Sequence, residues 1–146
     1  MRSAPMARAL SQWYSIYMRY LGIDYGARWI GIAVSDDEGA IAFPKTNIEA
    51  RTDTVRIREI KKIIKIENIG CIVVGLPIHM NGREGLSAAR TRAFASKIQK
   101  SFGLPIFFEN ELLTSRIATH AHGSHARVDA QAAALILQSY LDRLQA

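Results

Sequence analysis

The chain predicts an α/β fold, one mixed five-stranded sheet in the order βββαβαβα with helices on both faces. Three observations carry this. Apolar runs at 19–25 and 29–36 are joined by a turn bearing Gly26, and a third β-branched run follows at 40–48. Gly70 then introduces Cys71-Ile72-Val73-Val74-Gly75, an unbroken apolar run of the kind covered on both faces of a sheet. Segments with helical spacing alternate with the later strands, and a meander followed by βα units gives a mixed sheet.

Each element has a local reason. Gly26 and Asp36-Asp37-Glu38-Gly39 are tight-turn residues between strands, so the first three strands should run antiparallel. From Thr52 to Glu67, Val55, Ile57, Ile60, Ile63, Ile64 and Ile66 recur among Arg and Lys at helical intervals. Residues 77–85 read as a loop. A helix over 86–102 would face the core with Leu86, Ala89, Ala93, Phe94 and Ile98, and Gly103 would close it. Pro105-Ile106-Phe107-Phe108 is a further strand. A short helix is expected at 114–121. The last, at about 129–144, carries Ala132, Ala133, Leu135, Ile136, Tyr140 and Leu141.

At 146 residues with 49% hydrophobic content, the chain is one globular domain rather than a disordered one. Residues 1–17 differ: they hold Arg2 and Arg8 and no acid, and are expected to be a disordered extension before a domain at 18–146. Met18 is a candidate start, because ordered-looking sequence begins just after it. The single cysteine, Cys71, lies in an apolar run and reads as a buried hydrophobe, which suits a reducing cytoplasm. No apolar run is long enough for a membrane helix. The net charge of +6 leans toward polyanionic partners, nucleic acid above all.

The chemistry centres on Asp24, a carboxylate inside an apolar strand. Burying an ionised carboxylate is costly unless something pairs with it, and a strand that places one there usually needs it for an ion, a phosphate or a structural partner. Glu111, placed after the strand at 106–108, and Asp129, opening the last helix, fall at element ends where they can converge with Asp24. Ligands in open α/β sheets gather beyond the carboxyl ends of strands. Each acid also has a plainer reading. Asp24 serves equally as a turn acceptor, Glu111 as a helix-start charge and Asp129 as an N-cap. Glu109 shares a strand face with Glu111 and rivals it. Three hard oxygen donors without His or Cys suit Mg²⁺ or Mn²⁺, and a pair of such ions can drive phosphodiester cleavage.

Residues 74–85 place Gly turns and backbone N–H groups before a helix, an arrangement able to hold a phosphate. Arg83, Arg90, Arg92 and Lys97 are candidate nucleic-acid contacts or a solvated helix face. His120, His122 and His125 fit no established zinc spacing and read as a loop.

Several motifs together resemble the YqgF family. They are Gly22-Ile23-Asp24-Tyr25-Gly26, Ile30-Gly31-Ile32-Ala33-Val34-Ser35-Asp36, Val73-Val74-Gly75-Leu76-Pro77-Ile78-His79-Met80-Asn81-Gly82, Glu111-Leu112-Leu113-Thr114-Ser115 and the run from Val128 to Leu141. The resemblance spans about residues 19–144 in order. It implies an RNase H-like fold, an acidic triad of Asp24, Glu111 and Asp129 binding Mg²⁺ or Mn²⁺ as two ions, and substrate contacts at Arg28, Gly75, Asn81, Arg83 and Thr114. The family's usual Asp-Glu-Arg-Leu-Thr run is Asn110-Glu111-Leu112-Leu113-Thr114 here, and the stretch from Glu111 to Asp129 is short for the family.

The function expected from the resemblance is a metal-dependent nuclease that processes the end of pre-16S ribosomal RNA in the cytoplasm. The alternatives are a Holliday junction resolvase acting on branched DNA and a non-catalytic RNA-binding ribosome-assembly factor. An ATPase lobe of the actin type would share the Gly-Ile-Asp-x-Gly turn but needs two such lobes. The expected partners are structured RNA or branched DNA, with no membrane, and the chain itself is expected to be a monomer or weak homodimer.

Overall fold

The structure, a computed structural model, describes residues 18–112 and 125–146, and in the second stretch the side chains from 129 onward. Its elements are β1 (Arg19–Tyr25), β2 (Trp29–Ser35), β3 (Ala42–Glu49), α1 (Asp53–Glu67), β4 (Ile69–Ile78), α2 (Leu86–Phe102), β5 (Ile106–Leu112) and α3 (His125–Gln145). The five strands form one sheet in the order β3-β2-β1-β4-β5. β1, β2 and β3 pair antiparallel, whereas β4 pairs parallel with both β1 and β5. This is the expected mixed sheet. The short helix expected at 114–121, with His120, His122 and Thr114, lies outside the described residues.

Local chemistry sets the boundaries. Asp36 closes the β2–β3 connection, accepting the Ala40 N–H at 2.7 Å, while Gly39 takes a φ of 66° there. The Thr52 hydroxyl caps α1 by accepting the Val55 N–H at 3.4 Å, and Asn68 ends that helix in the left-handed region. Gly103 ends α2 with a φ of 67°, its N–H donating to the Gln99 carbonyl at 2.8 Å.

Two strands run further than expected. β4 continues through Pro77 to Ile78, and β5 reaches Leu112, so that Pro77 pairs with Glu111. Pro77 is tolerated because β4 there has run past its last partner on β1, where Val74 meets Ile23, and the missing N–H falls at an open edge.

The sheet has a core on each side. Leu21, Ile23, Ile32, Ile72 and Val74 pack with Phe94 and Ile98 of α2, joined by Ile60 of α1. On the other side Tyr20, Ala33, Cys71 and Val73 pack against Ala133, Ile136, Leu137 and Leu141 of α3. The buried face of α2 is Ala88, Thr91, Phe94, Ala95 and Ile98, rotated from the expected one, with Leu86 68% exposed. Phe94 and Ile98 together outweigh the alanines, and the stripe centres on them. Leu135 on α3 is likewise exposed, its place inside taken by Leu137. No helix among the described residues is long and apolar enough to cross a membrane.

Candidate active site

Alternation along the strands sends Asp24 to the α3 side. Gly22, two residues earlier, is so close to that helix that a Cβ would lie 2.8 Å from the Leu137 Cβ. Asp24 is 1% exposed, and both of its carboxylate oxygens are closed off from solvent. In the β1–β2 register Asp24 stands opposite Gly31. A Cβ on Gly31 would lie 1.9 Å from the Asp129 carbonyl oxygen, so α3 passes directly over β2 at this point. Only a glycine admits that approach. The backbone of Asp129 is thereby set next to the strand position paired with Asp24, and Asp129 itself is 5% exposed.

On the other side of β1, the Ile23–Val74 pairing brings Gly75 of β4 to the level of Asp24. A Cβ on Gly75 would sit 3.4 Å from Oε2 of Glu111 and 2.5 Å from Cδ1 of Ile136. The glycine thus leaves the room into which the Glu111 carboxylate reaches. Gly31, Asp24 and Gly75 form a line across β2, β1 and β4, with Asp129 above it on α3; on β5 the register partner of Gly75 is Glu109, and Glu111, two residues further on, turns its carboxylate back toward Gly75.

Glu111 and Asp129 both differ in setting from expectation. Glu111 is inside β5 rather than after it, because β5 pairs with the extended end of β4. Asp129 is not an N-cap, because α3 begins four residues earlier at His125. Its carboxylate is therefore not needed to end the helix. Glu109, the rival on β5, already has partners. The Ser139 hydroxyl donates to its Oε2 at 2.7 Å, and the Arg143 guanidinium donates to its Oε1. Beside these, β5 and α3 leave an open pocket of about 290 Å³ lined by Glu111, Leu112, Leu135 and Ile136 among others. Among the described residues, no three His, Cys, Asp or Glu side chains stand close enough as placed to hold one metal ion together.

Of the expected substrate contacts, Arg28, Gly75, Asn81 and Arg83 lie around the same end of the sheet, and Thr114 lies outside the described residues. Arg28, in the β1–β2 turn, is exposed and donates from Nη2 to Glu49 at 2.8 Å. Past β4, the loop folds on itself: His79 N–H donates to the Arg83 carbonyl at 2.9 Å, and Arg83 N–H to the Asn81 side chain at 3.0 Å. That loop opens α2 at Gly85, with no side-chain cap on the helix. Arg92 and Lys97 are held in ion pairs with Glu84 and Asp53, at 2.6 and 2.7 Å.

Arg56 was not singled out by sequence, although it falls on the helical stripe of Ile60 and Ile63. It is 4% exposed. Its guanidinium donates to Asp53 at 3.0 Å and to the Ala27 carbonyl of the β1–β2 turn. It also lies over the Tyr25 ring, 5.4 Å from the centroid, and that ring stacks on Phe94 at 4.6 Å. Arg56 thus fastens the turn that ends β1 to α1. On the α3 side, burial pushes the Cys71 thiol up to about 12, and burial likewise pushes the Tyr140 hydroxyl up to about 12.

Comparison with known proteins gives the family and the fold. Residues 18–143 match the RuvX family, described as Holliday junction resolvase. A relative from Lactobacillus delbrueckii subsp. bulgaricus is 38% identical over 137 residues, covering 86% of this chain and 96% of its own. One from Anaeromyxobacter sp. is 39% identical over 133 residues, covering 86% and 97%. Both carry the name "Putative pre-16S rRNA nuclease". Among solved structures, Thermus thermophilus RuvC in complex with Holliday junction substrate superposes with a TM-score of 0.54 at 12% identity, covering 88% of this chain and 96% of that one. The fowlpox virus Holliday junction resolvase gives 0.52 at 10%, covering 86% and 99%. These two establish the RuvC-like, RNase H-type fold. The sequence match over most of the chain goes further, and this protein belongs to the RuvX family, the YqgF family of the motif resemblance.

Proposed function

We propose that this protein is a nuclease that hydrolyses a phosphodiester bond at the end of the 16S ribosomal RNA precursor. The observation that carries the reading is Asp24. Its carboxylate, 1% exposed, stands at a strand end with glycines on both neighbouring strands and with Glu111 reaching into the space one of them leaves. The fold keeps it where ligands of such sheets gather. The names of the full-length relatives support the ribosomal RNA substrate.

The donor set fits a hard divalent cation, since Asp24, Glu111 and Asp129 offer only carboxylate oxygens. Mg²⁺ requires one or two protein carboxylates, with water and a substrate phosphate completing its shell, so a preformed three-residue cluster is not needed. We assign Asp24, Glu111 and Asp129 as the residues that would hold Mg²⁺ or Mn²⁺, which as a pair supplies an activated water and steadies the leaving oxygen. Gly31 and Gly75 keep the strand surface low enough for a sugar-phosphate backbone to approach the carboxylates. Phosphate contacts are assigned to Arg28, Asn81 and Arg83, and to Thr114, which lies outside the described residues. Arg28 is available for phosphate because its pair with Glu49 is exposed and therefore weak. We place the enzyme in the cytoplasm, as a monomer or weak homodimer.

The test is cleavage of a 16S precursor fragment and of a four-way DNA junction in Mg²⁺ and in Mn²⁺, with Asp24→Asn alongside. Expected is end-trimming of the RNA that is lost in the variant. Undiminished cutting by Asp24→Asn would refute the site. Paired cuts in the junction without RNA cleavage would instead establish the resolvase activity that the family description carries.

A further inference from the structure

The two helices on one side of the sheet carry an excess of base. α1 and α2 lie together on the side of the sheet away from α3, and between them carry nine Lys or Arg against three Asp or Glu. That balance of +6 equals the net charge of the whole chain, so the rest of the protein is neutral in sum. α2 contains no acid at all. A helix face that is merely solvated balances the two signs, and here base outnumbers acid three to one.

The arrangement is ordered as well as abundant. Arg58, Lys61, Lys62 and Lys65 fall at i, i+3, i+4 and i+7, one stripe about 10 Å long on the exposed side of α1. It lies opposite the buried Arg56 and Ile60. Glu59 is the one acid beside it, meeting Lys62 at 3.1 Å and Arg58 at 3.7 Å. Lys61 and Lys65 make no ion pair among the described residues, nor do the exposed Arg90 and Lys100 of α2. The Lys97–Asp53 pair at 2.7 Å ties the two helices into one surface.

We infer that the outer face of α1 and α2 is a second nucleic-acid contact, taking the phosphate backbone of a ribosomal RNA helix while the carboxylates act elsewhere. The carboxylates project from the opposite side of the sheet, so a straight duplex seated on them does not reach the α1 stripe. Duplex DNA carries a phosphate charge roughly every 1.7 Å of axis, so about six along 10 Å of a double helix, and the four cations of the stripe are of the same order. Such contacts hold RNA by shape and backbone, without reading its sequence. The face would anchor the body of the precursor while its end reaches Asp24. This rests on the proposed ribosomal RNA substrate.

The experiment is fluorescence anisotropy with a small-subunit ribosomal RNA hairpin between 50 and 200 mM KCl, in an Asp24→Asn background. Lys61→Gln/Lys65→Gln is expected to weaken binding on the order of tenfold and to lower the salt slope by about 2. Leu144→Glu/Gln145→Glu, which removes the same net charge at the end of α3, is expected to leave the slope at its parent value. Parent-like affinity and slope in the lysine variant would overturn the proposal, and would leave an acidic protein as the face's partner. So would an equal loss in the α3 variant, or an effect confined to a four-way DNA junction used as a second probe. Because binding is read without cleavage, RNA that binds normally but is never cut refutes the nuclease and spares this inference.

Discussion

Gly31→Ala tests the placement of α3 over the carboxylates. The added methyl would lie 1.9 Å from the Asp129 carbonyl oxygen, 2.1 Å from its carbonyl carbon and 2.8 Å from the Ala130 nitrogen. Ordinary contact begins near 3.4 Å, so the helix must retreat by about 1.5 Å. Every atom struck is backbone, held by a helix on one side and a paired strand on the other, so no rotamer change relieves the clash. Overpacking of this kind costs about 1–3 kcal/mol, and the rigid neighbours put Gly31→Ala near the upper end. The retreat also carries Asp129 away from Asp24, and a displacement of about 1 Å at a reacting centre is worth on the order of 10²-fold in rate. Urea unfolding and cleavage of the 16S precursor fragment would be measured on the same preparation. A wild-type midpoint together with wild-type cleavage would refute both the packing and the role given to Asp129.

Further outcomes are expected. Glu111→Gln should lose cleavage by on the order of 10²-fold or more; Glu109→Gln should keep it and lose about 1–2 kcal/mol of stability through Ser139 and Arg143. The reverse pattern in that cleavage assay would make Glu109 the site residue. Arg56→Met should destabilise by about 3 kcal/mol, because it strips a buried partner from Asp53 and the Ala27 carbonyl. A thermal midpoint unchanged from wild type would contradict this. Cys71 should resist a thiol reagent at pH 8 in the folded protein and react fully in urea, since burial holds the thiol neutral up to about 12. The same shift has a pH consequence. The folded state keeps a proton that the unfolded thiol gives up near 9, so this contribution is present below pH 9 and is lost as pH rises toward 12. Cys71→Ala should flatten that part of the stability curve, as read by urea unfolding across pH 8–11.

Much of the fold was legible in the sequence because its signals are local. Turn residues at Gly26 and Gly39, the unbroken run at 71–75 and the helix-closing Gly103 each act within a few residues of themselves. Strand ends were less legible. Pro77 reads as a loop residue, and only the run of β4 past β1 shows why it can remain in a strand. Helix faces failed where small residues dominate: Ala89 and Ala93 suit either side of α2, and packing of Phe94 and Ile98 chose the other.

The candidate site divides in the same way. By itself the sequence singled out the carboxylates proposed for the site, because an acid in an apolar strand carries its own cost and the flanking motifs fix its family. It also determined the charge, though not where the charge would lie. Tertiary structure decided the rest. Glu109 and Glu111 share one strand face, and tertiary contacts separate them: Glu109 is tied to Ser139 and Arg143, from a helix some 30 residues on, and Glu111 reaches toward Gly75. Asp129 lost its capping role to a helix that starts earlier. Gly31 and Gly75 acquired meaning only when α3 closed over them. The physical reason is that cost is a local property of a residue, whereas its compensation comes from whatever part of the chain folds against it.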